Sequence, residues 1–366
     1  MRITQVIGGL EGGGAERVCV NLANAWADGG RAVTLLTKLD HAPAYALDPR
    51  VRRRAWASRP PDSIAAVLRT LDAIGCPELV DNAAIISMMR EAILATEPEI
   101  VVAHLDVTNV RVLVALHGSG VPVIVCEHCD VERVHAGRWM RPRDVLYRQA
   151  AAVVAPHPAI AEHLARRGAR AVAIANPLVA PRTARPVRGV RRRLIALTRL
   201  SIEKRPEMLV CAFEKIAAAH PAWDLEIYGE GPLRPRVATL IDERKLRGRV
   251  HLRGFAADAY DVLAGADLFV SASCMEAFGN AIWEALACGV PVVAIDCGAP
   301  LRSLLRHGVD GIVVGTDSTT ALANALASLM GDDDARAAMA SRAGEIVERY
   351  PIASSLRAWE DVLHAA

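Results

Sequence analysis

The chain has 366 residues, 52% of them hydrophobic, and a formal net charge of +2. That length accommodates two domains of ordinary size, each with its own core. The near-neutral balance does not demand a polyanionic partner, and no nucleic acid is expected.

No apolar run approaches the ~20 residues that span a bilayer. The opening MRITQVIGGL enters a strand pattern directly, so no signal peptide is expected. In the first half, strands are expected at Ile3–Ile7, Ala32–Thr37, Ile100–Ala103, Val121–Cys126, Ala152–Ala155 and Val172–Ile174. Helices are expected between them at Ala15–Ala27, Ile85–Thr96, Val107–Leu116 and Ala159–Arg167. Strands alternating with helices imply a parallel sheet wound on both faces.

The first loop, 8-GGLEGGGAER-17, joins a strand to a helix. A glycine-rich turn at a helix N-terminus lets backbone N–H groups approach an anion. Its spacing matches neither the dinucleotide fingerprint nor a P-loop, and a plain tight turn fits equally. Two histidines, His104 in 101-VVAHLD-106 and His128 in 123-VIVCEHCD-130, follow strands where a ligand-facing residue belongs. The eight cysteines offer one CxxC pair, Cys126 and Cys129, with no second pair to complete a zinc set. They read as free thiols of a reducing cytoplasm; a site of His128 with Cys126 and Cys129 is the metal alternative.

The rhythm breaks at Asn176-Pro177, and Pro177–Gly189 reads as a linker. Alternation then resumes, with strands at Leu194–Thr198, Leu225–Tyr228, Val250–Arg253, Leu268–Ser271 and Val290–Ala294. The interleaved helices are Glu207–Ala219, Leu233–Arg244, Asn280–Ala287 and Ala321–Leu329. The last segment, Ala335–Ala366, is helical with a break at Pro351. The expected fold is therefore α/β, two Rossmann-like doubly wound domains facing across a cleft. The boundaries are 1–176, a linker over 177–189, 190–350, and a C-terminal helix over 351–366 that packs back on the first domain.

Two elements of the second domain carry chemistry. In 198-TRLSIEKRPE-207, Arg199 and Lys204 lie on a turn into a helix, where two cations can clamp a diphosphate. Lysine is rare here (only Lys38, Lys204, Lys215 and Lys245), which marks Lys204 out from a solvated basic turn. In 274-CMEAFGNAIWEALACGVPVV-293, Glu276 precedes a helix that begins near Phe278 or Gly279, and Glu284 lies more than a turn into it. Carboxylates beside a phosphate site suit the binding of sugar or ribose hydroxyls; a capping acid with an exposed helical glutamate is the alternative.

The glycine loop, Arg199 and Lys204, His128, and Glu276 spaced eight from Glu284, in this order, resemble family 4 glycosyltransferases of the GT-B fold. The likeness is greatest to bacterial members that build surface polysaccharides or lipid-linked oligosaccharides. The resemblance implies retaining transfer from a nucleotide diphosphate sugar, UDP-linked, to a glycan or polyprenyl-diphosphate acceptor, with no cofactor and no metal. It implies that Arg199 and Lys204 hold the diphosphate and that Glu276 binds donor-sugar hydroxyls. The Phe278-Gly279-Asn280 backbone would touch sugar and phosphate, and Glu284 would hold the ribose. Gly254 and Phe255 would lie near the base, Gly13 and Gly14 near the diphosphate, and His128 beside the donor sugar. One departure is visible: 297-CGAPLRSLL-305 has no acid where relatives carry Gly-Pro-x-Glu.

The acceptor is expected on the first domain, near His104. In 137-GRWMRPRDVLYRQ-149, Arg138, Trp139, Arg141 and Arg143 combine basic and interfacial character. This suits an anionic inner-leaflet surface or a lipid pyrophosphate, with 50-RVRRRAWASR-59 as a second contributor; ordinary solvated arginine fits as well. A cytoplasmic enzyme, peripheral on the inner membrane, is the resulting expectation. The competing readings are a nucleotide-sugar epimerase of the same architecture and a non-catalytic nucleotide-sugar-binding protein.

Overall fold

The computed structural model describes residues 1–57, 61, 63–129, 139–181 and 192–366, so residues 182–189 of the expected linker lie outside it. The described residues form two compact units. The first comprises Met1–Pro177 with Ile352–Ala366, the second Leu178–Pro351.

The first unit runs β1 (Arg2–Val6), α1 (Gly14–Asp28), β2 (Ala32–Thr37), β3 (Arg52–Ala55), α2 (Ala65–Ala73), α3 (Ala83–Leu94) and β4 (Ile100–His104). It continues through α4 (Asp106–Ala115), β5 (Val123–Cys126), α5 (Met140–Leu146), β6 (Ala152–Ala155), α6 (Pro158–Arg166) and β7 (Ala171–Ala173). The strands are all parallel, in the order β3-β2-β1-β4-β5-β6-β7. β4, β5 and β6 are buried along their whole length, as a sheet covered on both faces requires. Helix α1 packs on one face through Val18, Cys19, Leu22, Ala23 and Trp26, an i, i+4 stripe.

The second unit runs β8 (Arg192–Leu197), α7 (Pro206–Ala217), β9 (Trp223–Tyr228), α8 (Arg234–Glu243), β10 (Val250–Gly254), α9 (Ala259–Ala264) and β11 (Leu268–Ser271). After these come α10 (Asn280–Ala287), β12 (Val292–Ile295), α11 (Ala299–Leu304), β13 (Gly311–Val314), α12 (Thr319–Gly331), α13 (Asp333–Ala343) and α14 (Ile346–Arg349). Its parallel sheet has the order β10-β9-β8-β11-β12-β13. Side-chain caps start several helices: Asp258 accepts from the Tyr260 N–H, Ser318 from Ala321 and Asp332 from Ala335.

The last helix, α15 (Ile352–Ala365), belongs to the first unit. Its Trp359 meets Trp26 of α1 edge to face at 5.6 Å, both rings buried, and Glu360 pairs with Arg31.

β3 was not expected. Its sequence Arg-Arg-Arg-Ala lies at the sheet edge, where half of its side chains face solvent. Within the described part of the run 50–59, Arg52 and Arg54 face solvent. Arg50 bonds Asp48 at 2.6 Å, Arg53 bonds Asp40, and Trp56 is buried.

Candidate active site

In each sheet the strand order reverses once, between β1 and β4 and between β8 and β11. Loops leaving such a pair of neighbouring strands diverge to opposite faces and leave a crevice between them. Arg199, Lys204, Glu276 and Gly279 lie on the two loops at this point in the second unit, and Gly13, Gly14 and His104 follow or end the corresponding strands of the first.

In the second unit the loop after β8 enters a tight 3-10 turn over Ile202–Lys204. Arg205 then takes a left-handed conformation (φ +48°), and Pro206 opens α7. The strain at Arg205 is held by its own guanidinium, which bonds the Ala272 carbonyl at 2.9 Å and pairs with Asp317. The loop after β11 is tied to this turn: the Cys274 N–H and thiol both donate to the Glu203 carbonyl, at 3.0 and 3.3 Å. Lys204 Nζ therefore reaches Glu276 Oε1 at 2.6 Å, with 23% and 17% of the two side chains exposed. Arg199 stands exposed on the same loop. Burial raises the Glu203 carboxyl, but the Ser201 hydroxyl at 2.6 Å and the charges of Lys204 and Arg199 outweigh it, so it sits below the ordinary range.

Gly279 caps α10 at φ +94°, a conformation that favours glycine, and a Cβ there would lie 3.3 Å from Leu304 Cδ1. The first N–H groups of α10 form an anion-attracting end. Phe278 is buried and stands edge-on to Tyr350 at 5.7 Å, so only its backbone can meet a ligand. Glu284 is 4% exposed, which removes the exposed-helix alternative. At the end of β10, Gly254 has φ +76° and Phe255 is exposed. Arg253 is held by Glu226 at 2.9 Å. The Glu226 carboxyl lies at about 2 because its bonds to Arg193, Arg253 and Tyr228 outweigh burial.

A further element of this site was not read from the sequence. Gly229-Glu230-Gly231 follows β9 and lies on the β8 loop, with the Leu200 N–H bonding the Glu230 carbonyl at 2.9 Å. A Cβ on Gly229 would stand 1.9 Å from the Thr198 oxygen, and one on Gly231 2.4 Å from the Leu200 oxygen. The Gly-x-Gly spacing directly after a strand is the signal that could have found it.

In the first unit Gly13 caps α1 and Gly14 begins it, after Gly12 at φ +115°. The Gly13 carbonyl accepts from the Tyr45 hydroxyl at 3.3 Å. His104 ends β4, and its register partner in β5 is Cys126, so both side chains share the face that α1 covers. His104 is fully buried, which corrects its assignment to acceptor or membrane. It bonds Gln5 Oε1 through Nε2 at 2.8 Å and His128 Nε2 through Nδ1 at 3.1 Å. Burial, then the neighbouring His128, hold its imidazole well below the ordinary range; burial takes His128 down to about 4. Leu105, next in sequence, is strained at φ +73°.

Glu127 was passed over because an acid between a cysteine and a histidine gives no periodic signal. It is 1% exposed. Its Oε1 accepts the His128 and Cys129 N–H groups at 3.0 and 3.2 Å, and its Oε2 the Tyr147 hydroxyl at 3.0 Å. Asn109 completes the support, donating to the Cys126 carbonyl at 2.8 Å and the Tyr147 oxygen at 3.0 Å. Burial raises the Glu127 carboxyl to about 7, against the Arg143 charge.

Arg143 thus belongs to this interior: it is 1% exposed, so its assignment to an acceptor or membrane surface is corrected. Leu146 and Tyr147 are buried as well. Helix α5 turns these residues inward and leaves Arg141 outside, 63% exposed and bonded to Glu78 at 2.8 Å. Trp139 lies under Arg111 at 5.3 Å, and Arg138 falls outside the described residues.

Among the described residues, His104, Cys126 and His128 bring possible ligand atoms within 4.8 Å of one another, a grouping with His104 in place of Cys129. The two imidazoles lie only 24° from coplanar with centroids 5.4 Å apart. That spacing is close to the 3.1 Å contact plus one ring radius on either side, so the rings meet edge to edge. Such geometry fits an N–H···N bond between the rings rather than two lone pairs converging on an ion.

Two family models cover these units. Residues 13–177 match the glycosyl transferase 4-like domain, and residues 191–332 match the glycosyl transferases group 1. Together they take in most of the chain, which belongs to this glycosyltransferase family. It is 32% identical over 203 residues to an exopolysaccharide phosphotransferase of Streptomyces coelicolor, 55% of this chain and 21% of that one. It is 30% identical over 150 residues to the N-acetylgalactosamine-N,N'-diacetylbacillosaminyl-diphospho-undecaprenol 4-alpha-N-acetylgalactosaminyltransferase of Campylobacter jejuni, 41% of this chain and 40% of that one. These matches span less than half the length of either relative. Among solved structures it is similar to Anabaena HepE in complex with UDP and glucose, over 100% of both chains at 20% identity and a TM-score of 0.79. The fold is that of GT-B glycosyltransferases. No helix among the described residues is long and apolar enough to cross a membrane.

Proposed function

We propose that the chain is a retaining glycosyltransferase. It moves a sugar from a UDP-linked donor to a glycan or polyprenyl-diphosphate acceptor in surface polysaccharide synthesis, without a metal. The observation that carries this is the meeting of Lys204 and Glu276 at 2.6 Å at the reversal of the second sheet, beside the Gly279 cap of α10. A cation, a hydroxyl acceptor and a helix N-terminus together match the diphosphate and sugar of one ligand. Negative charge grows on the departing diphosphate as the glycosidic bond breaks. Lys204, Arg199 and the first N–H groups of α10 are fixed groups that stabilise it without reorganising. Glu276 turns to the sugar hydroxyls when phosphate takes over Lys204, and Glu284 binds the ribose. Gly254 and Phe255 lie beside the base. In the first unit, Gly13, Gly14 and His128 are the residues we assign to donor binding. A phosphate oxygen of the donor's leaving group takes the proton of the incoming acceptor hydroxyl on the same face.

The relatives support this reading: the Campylobacter jejuni protein is an α-N-acetylgalactosaminyltransferase acting on a diphospho-undecaprenol-linked glycan, and HepE holds UDP with glucose. The deciding assay incubates the protein with UDP-sugars and EDTA, with and without a polyprenyl-diphosphate glycan. Acceptor-dependent UDP release supports transfer. Free sugar released without acceptor indicates the epimerase, donor binding without turnover indicates the non-catalytic protein, and loss of turnover in EDTA sinks the metal-free mechanism. The enzyme acts in the cytoplasm, peripheral on the inner leaflet, through Arg138, Trp139 and Arg141. Liposome association unchanged by Arg138→Glu with Arg141→Glu would refute that attachment.

A further inference from the structure

The register of the first sheet places Gln5, His104 and Cys126 on one face, since Gln5 pairs with Val102 and His104 with Cys126. A hydrogen-bond chain runs from this face out to His128, and each link fixes the next. The Cys19 carbonyl can only accept, so the group that Gln5 turns to it, at 3.2 Å, is the amide nitrogen. Gln5 Oε1 is thereby aimed the other way, where it accepts the Cys19 thiol at 3.3 Å and meets His104 Nε2 at 2.8 Å. An amide oxygen has no proton to give, so His104 Nε2 carries the hydrogen. Burial keeps His104 neutral, and its Nδ1 is then a bare lone pair. That lone pair faces His128 Nε2 at 3.1 Å, edge to edge, so the proton between them belongs to His128.

We infer that Gln5 and His104 are positioning residues that hold His128 as its Nε2–H tautomer and leave Nδ1 as the atom its ring offers to a ligand. The inference deepens the proposed donor site and rests on that reading for its ligand. Nδ1 without a hydrogen accepts but does not donate. The sugar atom it meets is therefore a hydroxyl that gives its proton to the bond, whereas a carboxylate there would face a lone pair. With its imidazole lowered to about 4, His128 is protonated in on the order of one molecule in 10³ at pH 7. It serves as a neutral acceptor and carries no positive charge toward the sugar. The Glu127 carboxylate fixes the backbone of His128 from the other side, through the N–H bonds described above.

The test is long-range ¹H–¹⁵N correlation on the full chain labelled in histidine, with the His128 signals identified by their loss in His128→Asn. The expected pattern at pH 7 is a protonated Nε2 and a bare Nδ1 on both His104 and His128. Gln5→Met removes the fixed acceptor. It should give a mixture of tautomers and lower kcat roughly five- to tenfold, with donor KM changed less than twofold. A protonated Nδ1 on His128 in the wild type, or an unchanged pattern in folded Gln5→Met, overturns the inference. If Gln5→Met does not fold, the wild-type pattern decides alone. The tautomers are read without turnover, so an intact pattern in a protein that transfers no sugar counts against the glycosyltransferase reading instead.

Discussion

Lys204→Ala tests the site most directly, because it removes a fixed cation and leaves the surrounding turn in place. One preorganised group aimed at developing charge contributes about 2.7–4 kcal/mol to transition-state stabilisation. Loss of Lys204 should therefore lower kcat/KM by roughly 10²–10³. The effect on stability is smaller. Exposed pairs contribute about 0–1 kcal/mol and breaking buried ones costs about 3–5. The Lys204–Glu276 pair, with 23% and 17% of its side chains exposed, lies between them. A loss of about 1–2 kcal/mol follows, or a Tm lower by roughly 3–7 °C. The assay is UDP release with donor and acceptor at saturation and below it, alongside thermal denaturation of the same preparation. Glu203 supplies an internal control: its carbonyl still receives Cys274, so the β11 loop keeps its place and the fold survives. Activity within threefold of wild type, in a protein whose Tm has fallen as expected, would refute the assignment of Lys204 to the diphosphate.

Other outcomes follow from the same structure. The Glu127 carboxyl is raised to about 7 in the fold, from near 4.5 in the unfolded chain, so the folded state holds a proton that the unfolded state has lost between those values. Its contribution is fully present below about pH 4.5 and is lost as pH rises through about 7. Glu127→Gln should flatten the fall in the first unit's denaturation midpoint over that window; parallel wild-type and variant curves would contradict it. Gly229→Ala would place a Cβ 1.9 Å from the Thr198 oxygen. It should destabilise the second unit by more than about 3 kcal/mol, well beyond Gly254→Ala, whose Cβ would meet only the flexible Glu230 side chain; urea denaturation of the two variants ranks them. Trp359→Ala removes a buried ring packed on Trp26 and should cost about 3–5 kcal/mol in the first unit, read by the same method.

The alternation of strands and helices was legible because buried parallel strands are continuous apolar runs and the helices between them are amphipathic. β3 escaped because an edge strand of three arginines and an alanine has the composition of a solvated loop. β13, α9 and α11 escaped because four to six residues are too few to show a period. At the site, Arg199, Lys204, Glu276 and Gly279 were readable from residue type at loop positions after strands. The support of His128 was not. Gln5, Asn109, Glu127 and Tyr147 are far apart in sequence and meet only through sheet register and the packing of α4 and α5. The same packing turned His104 inward, where its place at a strand end had suggested a ligand-facing residue, and Arg143, whose charge had suggested a surface.

The placement of α15 has a consequence for the order in which the molecule can form. The sheet of the first unit is complete by β7, yet the tryptophan that seals α1 arrives only after every residue of the second unit has been made. During synthesis the first unit must therefore wait with Trp26 unsealed while its successor folds. A ribosome-bound chain halted before Ile352 should expose Trp26 to a chaperone or protease, although the strands of both sheets described above are already present.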